Sequence, residues 1–339
     1  MNGKELFSVM RNNKIPDRIP FVPTIYEHGA KIIGKTPSQV AQCQKLIAQS
    51  QLEAYKLYRH DLISVGMDIY NVEAEALGAR VLYYDNADLP SVSDVLVKEK
   101  KDLALLKIPD PSKDGRMPLF IEATYEVYKQ VGDEVLVSGA VVGPFTLAAI
   151  LRGFENFIMD LVFDTEFALM LMRFAKDVGL AYAKGFVSRG LGISINESWI
   201  APPLLSPDIY ADCVYLIEKE MIDEIKAMGL QSVSLISGGN TTHILENMLK
   251  TGTSLVMADY NTDQKYFKEV CENHDVFLRA SIESKLVEAG DTQALESAVR
   301  RVVEQCGDYP KFLFGCGIVS YDTTTENVLK LKTILNDIR

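Results

Sequence analysis

The chain is poor in the residues that most often advertise a function. It has only 4 histidines, 1 tryptophan and 5 cysteines in 339 residues. The cysteines (Cys43, Cys213, Cys271, Cys306 and Cys316) are odd in number, far apart and without a C-x-x-C pair. That argues against a disulfide framework and for reduced thiols in the cytoplasm. No run of 18 apolar residues occurs, and Met1-Asn2-Gly3-Lys4-Glu5 leads into a short amphipathic stretch without the apolar core of a signal peptide. Neither export nor a membrane span is expected. Basic residues are in deficit too: 35 Lys and Arg against 46 Asp and Glu leave a net charge of −11. No Lys/Arg stripe overrides this mean, so nucleic acid and anionic membranes are not expected partners.

What the chain does have is the composition of a globular protein, 47% apolar and 24% charged. Short β-branched runs alternate with helix-length amphipathic segments, the pattern of a parallel sheet covered by helices. Strands are expected at residues 18–26, 62–70, 135–142, 190–195, 232–236, 254–258, 276–278 and 311–314, the first preceded by an N-terminal helix and followed by a helix over 36–59. Residues 81–117 are polar and irregular around Pro109-Asp110-Pro111, an excursion after the second strand. Eight such units predict a single-domain (β/α)8 TIM barrel over 1–339, with its active site at the C-terminal ends of the strands.

Polar or small residues follow the strands: Glu27 and His28, Tyr70 and Glu73, Asn196 and Glu197, Asn240, Asp259, Arg279 and Cys316. The barrel reading gathers them around one cavity. Glu27, His28 and Glu197 are candidate catalytic groups, and Tyr70, Glu73, Asn196, Asn240, Asp259, Arg279 and Cys316 candidate substrate contacts.

Several motifs carry a family resemblance. Gly143-Pro144-Phe145-Thr146-Leu147-Ala148 runs on to Leu151-Arg152-Gly153-Phe154-Glu155-Asn156-Phe157. Ile15-Pro16-Asp17-Arg18-Ile19-Pro20, Glu73-Ala74-Glu75-Ala76-Leu77-Gly78, Gly239-Asn240-Thr241-Thr242, Gly315-Cys316-Gly317 and Thr325-Glu326-Asn327-Val328 accompany it in order. In these the chain resembles the uroporphyrinogen decarboxylase superfamily, and within it the corrinoid-dependent methyltransferases. The resemblance implies methyl transfer at the barrel mouth between a small molecule and a methylcobamide (corrinoid) cofactor supplied by a partner corrinoid protein. The decarboxylase itself is a poorer fit. Its N-terminal arginine-rich stretch, which binds the porphyrinogen carboxylates, corresponds here to residues 21–28, which hold no arginine.

The coenzyme M branch of the family holds zinc with a His-x-Cys pair after the fifth strand and a Cys after the eighth. Aligning Gly239-Asn240-Thr241-Thr242 places Ile236 and Gly238 at the first two positions, leaving Cys316 alone. One thiolate does not hold zinc, so a metal is not expected unless Glu27, His28 or Glu197 rebuild the site.

Each residue has a plainer alternative. His28 is either a substrate-facing imidazole or a hydrogen-bonded loop residue. Glu197 is an acid facing the cavity or a helix cap, and Asn240 a polar ligand contact or a turn residue. Asp259 and Arg279 form a structural pair or leave the arginine free for a carboxylate or phosphate. Cys316, between two glycines, is a nucleophile or a packing residue. Beside methyl transfer stand two other readings: tetrapyrrole decarboxylation, and a small-molecule or corrinoid-binding module without catalysis.

Overall fold

Strands rich in Val, Ile and Leu on both faces need cover on both sides, and that dictates a parallel sheet wrapped by helices. The computed structural model of the chain describes residues 1–338. Its strands are β1 (Leu62–Val65), β2 (Val81–Leu82), β3 (Ser91–Val92), β4 (Leu136–Val142), β5 (Gly192–Asn196), β6 (Val233–Ile236), β7 (Leu255–Ala258), β8 (Phe277–Ile282) and β9 (Phe312–Cys316). Seven of them form one curled parallel sheet in the order β1-β4-β5-β6-β7-β8-β9, with helices between successive strands.

Residues 20–24 close the cylinder. Val22 N donates to Phe314 O (2.7 Å) and Phe314 N to Pro20 O (2.9 Å), while Asp61 N, just before β1, donates to Phe21 O (2.9 Å). The expected first strand, residues 18–26, is therefore present as an extended segment with only two isolated bridges, Phe21 to Phe314 and Thr24 to Ile318. Pro20 and Pro23 have no N–H to give, so a continuous ladder cannot form. Asp61 strengthens the seam by accepting from Phe21 N (2.8 Å) and from both Arg18 terminal nitrogens (2.6 and 2.7 Å).

Other boundaries shift for local reasons. The second strand ends at Val65 rather than residue 70, because the chain bends at Met67 and Asp68 just after Gly66, where a Cβ would sit 2.6 Å from Ile69 and 2.8 Å from Tyr26. The helix expected over 36–59 is two: Pro37–Ala41, started by a Thr36/Gln39 capping box with Pro37 in its first turn, and Gln44–Tyr58, after extended Cys43. Strands β8 and β9 run past their expected ends, so Arg279 and Cys316 lie within strands. The excursion over 81–117 is not wholly irregular, since β2 and β3 pair antiparallel and a short helix, Lys100–Leu103, follows.

Arg116 anchors the return of that excursion. Its guanidinium is buried, bonded to Asp68 (2.6 Å) and Glu75 (2.5 Å), and it lies over the rings of Tyr83 and Phe120. Removing it would strand a buried carboxylate. Arg116→Met is expected to lower unfolding stability in urea by about 3–5 kcal/mol, and Arg116→Lys to recover only part, since an ammonium lacks the planar fork. A loss below about 1 kcal/mol would show that the network is incidental.

Candidate active site

In a strand successive side chains point to opposite faces, and in this barrel that alternation sorts the polar residues. One cavity of about 690 Å³ runs along the bore. Ser64 of β1, Ser138 of β4, Gly192, Ser194 and Asn196 of β5, and Ser234 of β6 line it. Barrel interiors are ordinarily filled by layers of bulky branched side chains. Here small residues leave the middle hollow, and an apolar belt of Val22, Leu62, Leu136, Leu255 and Phe277, backed by Leu313, girdles the bore. Phe7, from helix Gly3–Arg11, packs on Phe277 with ring centroids 5.5 Å apart.

Of the ten candidate residues, the structure brings Tyr70, Asn196, Asp259 and Arg279 to this cavity. Tyr70 Oη bonds Ser198 Oγ, and burial pushes its phenol up to about 12, so it remains a donor at neutral pH. Asp259 accepts from Gly239 N (2.8 Å) and Tyr260 N (2.8 Å). Of the two alternatives for Asp259 and Arg279, the structure has the free arginine and not the ion pair. Arg279 is buried at 9% exposure, its Nη2 rests on Met257 Sδ at 2.8 Å, and its Nε has no partner. Among the described residues no carboxylate lies within 4 Å of it, and burial lowers its pKa.

The other six do not line the cavity. Cys316 is one residue out of phase: Gly317 borders the bore, whereas Cys316 is fully buried in the main core, its thiol pushed up to about 12. Burial there makes it a packing residue. His28 lies in the first turn of helix Glu27–Ile32 and bonds Tyr58 Oη at 2.7 Å, its pKa lowered to about 4 by burial. Glu27, beside it, has a buried Oε2 without a partner and a carboxyl raised by burial to about 7. Asn240 is exposed and accepts from Thr242 N (3.2 Å), a turn contact.

Glu197 explains a motif. Its carboxylate accepts from Phe145 N (2.7 Å), Thr146 N (2.9 Å) and Thr146 Oγ1 (2.5 Å), capping helix Pro144–Arg152. Thus Gly143-Pro144-Phe145-Thr146 is a helix start whose acceptor comes from the neighbouring strand. Gly143 leaves room for it: a Cβ there would lie 2.2 Å from Glu197 Cδ. Glu73 is likewise committed. Its Oε1 accepts from Val142 N (2.8 Å), its Oε2 has no partner, and burial raises its pKa to about 8.

Five serines that line the bore are not marked by a strand exit motif: Ser64, Ser138, Ser194 and Ser234, which lie inside strands, and Ser198, the partner of Tyr70. Attention to strand exits alone passes over such residues, although counting back by two from Asn196 reaches Ser194. At the positions where the resemblance would set zinc ligands stand Ile236, Gly238 and the core-buried Cys316. Among the described residues no three His, Cys, Asp or Glu side chains form a metal-binding group.

Two expectations follow. Glu197→Ala strands two helix N–H donors and is expected to cost about 2–4 kcal/mol in urea unfolding, with Gly143→Ala comparable because it evicts the same carboxylate; unchanged midpoints would refute the cap. Glu73, with a folded pKa near 8 against an ordinary 4.5, holds a proton in the native state that the unfolded chain releases. Stability therefore falls as pH rises between 4.5 and 8. Glu73→Gln should flatten the stability profile across that window, and an unaltered slope would exclude Glu73 as its source.

The family profile described as uroporphyrinogen decarboxylase (URO-D) matches residues 2–336. Methylcobamide:CoM methyltransferase MtbA of Methanosarcina acetivorans is 27% identical over 87% of this chain and 85% of its own length. A uroporphyrinogen decarboxylase of Prochlorococcus marinus is 28% identical over 42% of each chain. A solved methyltransferase from Methanosarcina mazei superposes with a TM-score of 0.87 at 22% identity, covering 99% of both chains. With a barrel closed by residues 20–24 and a family profile matched almost end to end, this chain belongs to the uroporphyrinogen decarboxylase (URO-D) family.

Proposed function

We propose that this chain transfers a methyl group between a corrinoid cofactor carried by a partner protein and a small molecule held at the mouth of the barrel. The observation that carries the reading is the convergence of Tyr70, Asn196, Ser198, Asp259 and the mid-strand Arg279 on one cavity, which reaches the end of the barrel where such enzymes place their chemistry. Its likeness to methylcobamide:CoM methyltransferases over most of the chain supplies the reaction class. Decarboxylation has weaker support, because the uroporphyrinogen decarboxylase of Prochlorococcus marinus matches 42% of this chain and residues 21–28 hold no arginine.

A corrinoid presented by the partner protein would supply or accept the methyl group. This chain's residues do the remaining work. Arg279 and Asn196 bind and orient the small molecule, holding its heteroatom in line with the methyl carbon, which is where positioning contributes most to a displacement. The Tyr70–Ser198 hydroxyl pair donates to that molecule. Asp259, half-exposed at the mouth, takes the proton of an entering heteroatom or returns it to a leaving one. Zinc activation of a thiol does not fit these residues, since two of the three ligand positions hold Ile236 and Gly238. The small molecule is thus one whose heteroatom reacts without a metal–thiolate bond.

Free methylcobalamin can stand in for the partner's cofactor, its demethylation followed by absorbance with a thiol, tetrahydrofolate, an amine or a phenol as acceptor. Turnover is expected with at least one acceptor and is expected to survive EDTA. Asp259→Asn should lower kcat/KM by about 100-fold and Tyr70→Phe by about 10-fold. Demethylation with none of the four would sink the reading, and turnover abolished by chelator would replace it with a metal-dependent one.

A further inference from the structure

The hollow bore extends well below the residues that mark the mouth. It reaches Lys4, Arg11 and Gln231 at the N-terminal ends of the strands. Two serine pairs face it from registered neighbours, Ser64 beside Ser138 and Ser194 beside Ser234. Barrel cores gain stability from tight filling, and each missing methylene costs contact energy. Small hydroxylated side chains here leave that energy unrealised. The hydroxyls of Ser194 and Ser234 make no hydrogen bond among the described residues, so each has donor and acceptor capacity open to the cavity.

Arg279 is the second observation, and it points to the charge of the occupant. Its side chain comes from the middle of β8, is nine-tenths buried, and faces the same cavity. The nearest carboxylate on the wall, Asp259, is engaged with backbone N–H groups. Gly315, on the neighbouring strand, lets the arginine stem lie flat: a Cβ there would be 3.2 Å from its Cγ and Cδ. A buried guanidinium whose only hydrogen-bond partner among the described residues is a thioether is costly unless an anion completes it. Its planar fork matches an oxyanion with two oxygens in one plane.

We propose that the bore itself is a ligand site for a small, extended, oxygen-rich organic anion, with its anionic group on Arg279 and its hydroxyl or ether oxygens along Ser194 and Ser234. A cavity of about 690 Å³ is the right size for a compact organic molecule. The apolar belt formed by Leu62, Leu136 and Phe277 receives whatever carbon the molecule carries. This names the substrate class for the methyl transfer proposed above and rests on that reading for its chemistry, but binding can be measured without turnover.

Isothermal titration of the full chain with methoxyacetate, isethionate and glycerol 3-phosphate distinguishes a carboxylate, a sulfonate and a phosphate head, with uncharged 2-methoxyethanol as control. At least one anion is expected to bind, and the neutral control to bind 30-fold or more weakly. Arg279→Met, close in length but uncharged, should weaken the bound anion by 30-fold or more. Ser234→Val, which leaves the arginine intact and fills part of the bore, should weaken it by 5-fold or more, and thermal unfolding of both variants checks that they fold. Binding of none of the anions, or equal binding by Arg279→Met, overturns the proposal. Equal binding by Ser234→Val alone overturns the part given to the serines. If anions bind while methylcobalamin is left untouched by every acceptor, the methyl-transfer reading fails and the anion site stands.

Discussion

Adjacent residues on a strand of a closed barrel belong to different compartments: one faces the bore, the next faces the helices. Most of the functional geometry of this protein depends on that division. On β5 it sends Ser194 and Asn196 inward. The carboxylate of Glu197, one residue on, goes instead to a neighbouring helix. On β9 it leaves small residues beside Arg279 and puts the thiol of Cys316 into the core. A shift of one residue in either strand would exchange the two sets, so the register pairs Asn196 with Ile236 and Ile282 with Cys316 are as much a part of the site as the side chains that line it.

The outward-facing acids have a common character. Glu197 and Glu73 each give an oxygen to backbone N–H groups at or beyond a strand end, and both are raised by burial, to about 7 and about 8. A short polar side chain at a strand end is the group best able to satisfy donors that the ladder leaves unpaired. These carboxyls hold the loops from which the mouth is built, while Tyr70, Asn196, Asp259 and Arg279 face the space those loops enclose. Position at a strand exit therefore does not by itself separate the two roles.

The strand–helix alternation was legible in the sequence because burial on two faces leaves long β-branched runs that no solvated sheet would carry. The closing segment was legible as apolar and extended, but its prolines limit it to two bridges. Four of the ten candidate residues line the cavity, and the reasons the rest do not are local. His28 is claimed by Tyr58, thirty positions along the chain, a partnership that no motif announces. From the sequence Arg279 is a strand-end residue that either pairs with Asp259 or stays free for an anion. The longer β8 buries it mid-strand, and Asp259 turns to the amides of its own loop and of Gly239. The serines of the bore carry too little hydrophobic contrast to signal themselves, and only strand phase identifies them.

The seam at residues 20–24 sets the cylinder apart from one hydrogen-bonded evenly all round. Along that meridian a few backbone bonds and the Asp61 carboxylate stand in for ladders such as those that join β4 to β5 and β8 to β9. Sparse bonding makes a line of low local stability, the place where a structure opens at least expense. Parting the barrel along this meridian would break fewer backbone bonds than parting β4 from β5 or β8 from β9.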